Sequence, residues 1–104
     1  MKIDIDNELD NLGRNALMVS SYYGRYGIVD VLLKNGANVN YKNEFGMTPL
    51  RMAISGYYDA WDGFLLRDLL DVMVLLLQKG AIIDDVTFLA AKSESVREIL
   101  RKFK

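Results

Sequence analysis

Apolar residues recur at helical spacing in two long segments of this chain. Between Leu65 and Leu77, the set Leu65, Leu69, Val72 and Leu76 forms one stripe, and Leu66, Leu70, Met73 and Leu77 form the adjacent one. Arg67, Asp71, Val74 and Gln78 occupy the opposite face. The pattern predicts a helix opening near Asp62 as N-cap and running to about Gln78. A second apolar run, Ile28 to Leu33, precedes Lys34-Asn35-Gly36, and the later helix precedes Lys79-Gly80. Both glycines suit the left-handed residue that ends a helix. Upstream, Thr48-Pro49 is a helix start, because the hydroxyl accepts from an orphan amide and proline needs none. Asn15-Ala16 is a weaker version of it. Near the end, Asp84 and Asp85 lead into a short helix through Ala91. Ser95-Val96-Arg97-Glu98 has the spacing of a capping box ahead of Ile99, Leu100 and Phe103.

These elements repeat. Asp10-Asn11-Leu12-Gly13-Arg14-Asn15-Ala16-Leu17 aligns with Asn43-Glu44-Phe45-Gly46-Met47-Thr48-Pro49-Leu50 at a spacing of 33. Ile28-Val29-Asp30-Val31-Leu32-Leu33-Lys34-Asn35-Gly36-Ala37 aligns with Val72-Met73-Val74-Leu75-Leu76-Leu77-Gln78-Lys79-Gly80-Ala81 at a spacing of 44, so the second copy carries eleven extra residues. Eleven helical residues turn through about 1100°, within about 20° of three full turns, so helical phase is kept. The insertion therefore reads as an early start of the second helix, projecting roughly 12 Å beyond its neighbours. Tyr57, Tyr58, Trp61 and Phe64 lie where they could cover that extension as a local core. The same residue types dominate protein-binding hot spots, and the two readings divide these side chains between them.

Gly46-Met47-Thr48-Pro49-Leu50-Arg51-Met52-Ala53 and Gly36-Ala37-Asn38-Val39-Asn40 resemble the ankyrin repeat family, in phase in two copies, over roughly residues 10 to 103. The resemblance implies an all-α solenoid of stacked helix-turn-helix units with short hairpin loops, about two and a half repeats in a single domain. Residues 1–9 would form an N-terminal hairpin arm or cap, 10–42 repeat one, and 43–84 repeat two with the insertion near 56–68. Residues 85–104 would form a truncated capping repeat. The chain departs from the family at the histidine after Thr-Pro-Leu, which is Met18 in one copy and Arg51 in the other. Family members bind partners on the concave side, made of hairpin tips and the exposed face of each first helix. Carried over by position, that surface is Asn11, Leu12, Arg14, Met18, Tyr22 and Tyr23, then Glu44, Phe45, Met47, Arg51, Ser55 and Tyr57. Tyr58 and Trp61 join it from the insertion. Leu12 and Phe45 either face a partner or pack on the next hairpin.

Composition narrows the chemistry. Among 104 residues there is no cysteine and no histidine, which removes disulfides, thiolate nucleophiles, most zinc sites and imidazole-based triads. A net charge of −1 gives no general attraction to nucleic acid. The basic residues Lys92, Arg97, Arg101, Lys102 and Lys104 are interleaved with Glu94 and Glu98, as on a solvated helix face. The start lacks a signal-peptide run and no apolar stretch reaches a membrane span, so the cytoplasm is the expected location and no membrane partner is expected. Asp59, Asp62, Asp68 and Asp71 form a carboxylate-rich segment. It carries no calcium-loop spacing and no adjacent nucleophile, and it fits a cap and a helix face better than a catalytic pair. The expectation is a non-enzymatic protein-binding module without cofactor or metal, acting on its partner by occlusion as an inhibitor, an immunity-type antitoxin or an adaptor. The alternative is a structural module that forms a homo-oligomer through the apolar open end of its stack.

Overall fold

The computed structural model describes Asp6, Leu9, Asp10 and residues 13–103. Of the expected N-terminal arm it thus describes only Asp6 and Leu9, and Asn11, Leu12 and Lys104 also lie outside the described residues. Among the described residues there are six helices and no strand: α1 Ala16–Tyr22, α2 Tyr26–Lys34, α3 Pro49–Asp59, α4 Gly63–Gln78, α5 Asp85–Ala90 and α6 Glu94–Phe103. α1 packs on α2 and α3 on α4, and successive units stack, with α1 on α3, α2 on α4, α3 on α5 and α4 on α6.

The repeated letters produce repeated hydrogen bonds. In the turn before α1, the Asp10 N–H donates to the Arg14 carbonyl, and the Gly13 N–H donates to the Asp10 carbonyl. The Arg14 N–H donates to Asp10 Oδ1. Thirty-three residues on, Asn43, Gly46 and Met47 make the same three bonds. Gly13 and Gly46 both have positive φ, 71° and 77°, a conformation that a side chain would oppose. Asn15 Oδ1 then caps α1 by accepting from the Met18 N–H, and Thr48 Oγ1 caps α3 through Arg51. At the other end of each unit, Gly36 and Ala37 donate to the carbonyls of Leu33 and Leu32, as Gly80 and Ala81 do to Leu77 and Leu76. Both are six-to-one helix stops built on a left-handed glycine.

One core runs through the stack: Leu17, Val29, Leu50, Ala53, Ile54, Val72, Met73, Leu75, Leu76, Leu77, Ala91, Val96 and Leu100. Side-chain bonds stitch neighbouring units together. Asn40 Nδ2 donates to the Gly80 carbonyl at 3.0 Å, and its Oδ1 accepts from the Ile82 N–H at 2.8 Å. The expected capping box at Ser95 does not form. α6 begins at Glu94 and its Arg97 N–H bonds to the Ser93 carbonyl, which places Ser95 inside the first turn.

The eleven extra residues are shared by two helices. α3 has 11 residues against 7 in α1, and α4 has 16 against 9 in α2, while both connecting loops are three residues long. The cause is local. α1 stops at Gly24, which has φ 67° and, with Arg25, donates to the carbonyls of Ser21 and Ser20. Thirty-three residues later the chain has Tyr57, which cannot cheaply enter that conformation, so α3 runs on to Asp59. Asp62 caps α4 by accepting from the Phe64 N–H. The result is a helical hairpin whose tip projects about 10 Å past the first unit.

Candidate functional site

The projecting hairpin divides its aromatics. Tyr57 is half-buried against the core, whereas Trp61 is 98% exposed and Phe64 84% exposed, so these two supply none of the cover expected of them. The inner face of the extension is instead met by the first unit. Gly24 lies so close to α4 that a Cβ there would be 3.1 Å from Leu65 and 3.2 Å from Leu69. Gly56 lets α3 approach the end of α1, since a Cβ would sit 2.1 Å from the Tyr22 carbonyl oxygen. Two glycines and a fully buried Leu69 do the covering that the sequence assigned to aromatic rings. Trp61 and Phe64 are thereby left in solvent.

Next to the tip is a cleft of about 280 Å³ lined by Tyr22, Tyr23, Gly56, Asp59, Ala60, Trp61, Asp62 and Leu65. Tyr22 and Tyr23 close the α1 end, with rings edge to face at 5.0 Å and 85°. The Tyr22 hydroxyl donates to Asp59 Oδ2, tying the ends of α1 and α3 together. That hydrogen bond, then burial, raises the Tyr22 pKa above its ordinary value, so the phenol stays neutral and remains a donor at physiological pH. Asp59 and Asp62 are the charged residues of the lining, and among the described residues no lysine or arginine joins them. Arg14 opposes the upward shift of Tyr22 through its positive charge, and its guanidinium is paired with Asp10 at 2.8 Å.

The expected binding residues divide into groups. Tyr22, Tyr23 and Trp61 converge on the cleft. Arg14, Glu44, Phe45 and Met47 lie on the hairpin turns at a separate place; Phe45 is 70% exposed, with its ring edge near Gly13, and Met47 is half-buried. Met18 is fully buried and presents no surface, a correction to its expected role. Its side chain is turned into the core where the family has a histidine. Arg51 is also turned inward: Nη1 donates to the Gly46 carbonyl at 2.9 Å and bridges helix to hairpin, while Nε is buried without a hydrogen-bond partner among the described residues. Tyr57 is half-buried against the core, and Tyr58, edge to face with it, accepts from the backbone N–H groups of Lys92 and Ser93. Tyr58 thus ties α3 to the α5–α6 turn. Ser55 is half-buried. Asp59, Asp62 and Leu65 were not expected in the site; the two acids were legible only as a helix cap and a polar segment.

A second groove, of about 510 Å³, lies on the outer side of α2 between Arg25, Tyr26, Ile28, Val31 and Leu32. Ile28 and Val31 are exposed there.

The architecture defines a class: a stack of helix-turn-helix units, each packed on the next, a helical solenoid. A family model described as ankyrin repeats (many copies) matches residues 3–56, and the chain belongs to the ankyrin-repeat family. Such repeats are protein-protein interaction modules and are generally non-catalytic. No described helix is long and apolar enough to cross a membrane.

Proposed function

We propose that the chain binds a protein partner without catalysis, and that the α3–α4 tip with the adjoining cleft is the contact surface. The observation that supports this is the nearly complete exposure of Trp61 and Phe64 beside an apolar cleft. Exposed tryptophan and phenylalanine at a projecting, helix-supported tip offer large, stiff contact area at little ordering cost. A rigid wedge of this kind acts by occupying a partner's surface, as an inhibitor or immunity-type protein does. The cytoplasm is the compartment this reading assumes.

The test is affinity capture with the intact chain and with Trp61→Ala/Phe64→Ala, scored by mass spectrometry, with thermal melts as the fold control. The reading expects one protein lost from the double variant and, on adding the chain stoichiometrically, a drop in that protein's own activity or assembly. Capture unchanged by the double variant would refute the assigned surface. The exposed Ile28 and Val31 favour a second reading, self-association through α2. A dimer seen by light scattering and dissociated by Val31→Asp would replace the first reading with this one.

A further inference from the structure

We infer that the cleft beside Trp61 takes a lysine or arginine side chain presented on a partner segment. This rests on the reading of the α3–α4 tip as the contact surface. The walls are aromatic on two sides, the perpendicular pair Tyr22 and Tyr23 and the indole of Trp61, with Leu65 alongside. Apart from the two phenols and the indole N–H of Trp61, the polar side chains among the described lining residues are those of Asp59 and Asp62, both acidic. Aromatic faces carry negative potential, and a cation over them is attracted most strongly by tryptophan. A long basic side chain meets both requirements at once, because its methylene stem lies on the rings and Leu65 while its charged head reaches the acids.

An acidic or purely aliphatic anchor fits less well. A carboxylate would face Asp59 and Asp62 with no cation among the described lining residues, and an aliphatic group would partly desolvate those acids without offsetting their charge. The Tyr22 hydroxyl is already committed to Asp59 as a donor, which orients that carboxylate and leaves acceptor capacity on it. The sign of the site is therefore set by the carboxylates and the π faces together. Arg14 acts on Tyr22 with the opposite sign, but its charge is paired with Asp10.

The probe is a phage-displayed dodecapeptide library selected on the intact chain and counter-selected on Trp61→Ala. Trp61 is the sole tryptophan, so its emission reports occupancy directly when the recovered peptides lack tryptophan. The expected result is a consensus with lysine or arginine beside an apolar residue, and a blue shift of the Trp61 emission on binding. Affinity should fall about tenfold in Asp59→Asn/Asp62→Asn, and several-fold on raising salt from about 50 to 300 mM. Asparagine still caps a helix, so this variant is expected to melt as the parent does. Should it not fold, replacing the consensus lysine by norleucine in the peptide asks the same question. A consensus that is acidic or uncharged, or binding indifferent to salt, to the acid variant and to norleucine, overturns the inference. If such binding is still lost in Trp61→Ala, the contact surface stands and only its charge preference fails. Peptides that bind without moving Trp61 emission overturn both.

Discussion

Gly56 shows how much one missing methyl can decide. Its hydrogen faces the Tyr22 carbonyl and Leu69, and no side chain fits the gap without moving backbone. Gly56→Ala should therefore cost about 2–3 kcal/mol by overpacking, seen as a lower melting temperature. Gly63, the first residue of α4, has nothing within 4 Å of a built Cβ. Gly63→Ala should be neutral or stabilising by up to about 1 kcal/mol, since alanine is the better helix former. From sequence the two glycines look alike, bracketing an aromatic stretch. The difference comes from a neighbour 34 residues away, which no local pattern reports. Met18 and Arg51 teach the same lesson, because family position alone placed both on the surface and packing turned both inward.

At the scale of elements, caps and stops were the most legible features. Asn15, Thr48, Asp62 and Asp84 all cap helices through their own side chains, and Gly36 and Gly80 end two. These are short-range interactions, complete within a few residues. Asp84 also links this scale to pH. Hydrogen bonds from Thr87, side chain first and then backbone, hold its carboxyl below the ordinary aspartate value. A depressed folded value means the stabilisation is fully present above about pH 3.9, the ordinary value, and is lost as pH falls through the lower one. Acid melts below pH 4 should thus show a shallower decline in Asp84→Asn, which caps without titrating, than in the parent. The lengthening of α3 and α4 was only half legible. Helical phase showed that the insertion was helical, yet its division between two helices depended on Tyr57 standing where α1 has its stop glycine.

For the whole molecule, function and stability separate cleanly. Trp61 and Phe64 contribute almost nothing to the core, so Trp61→Ser/Phe64→Ser should change unfolding free energy by no more than about 0.5 kcal/mol while abolishing partner capture. Asn40→Ala should do the reverse, costing about 1–2 kcal/mol by cutting two bonds to the next unit while leaving capture intact. Denaturant titration of both variants checks the pair.

Taken by itself, the sequence determined the repeat, the helix starts at Asn15, Thr48 and Asp62, the glycine stops at Gly36 and Gly80, the helical character of the insertion and the lack of cysteine and histidine chemistry. Each of these is written in residue type and spacing over a few turns. Only the tertiary structure decided which aromatics were covered. The inner face of the extension was filled by close approach at Gly24 and Gly56, which brought Tyr22 and Tyr23 beside Asp59 and Asp62 and left Trp61 and Phe64 outside. That choice belongs to contacts between units, where the fit of one surface against another, and not the hydrophobicity of a side chain, determines what is buried.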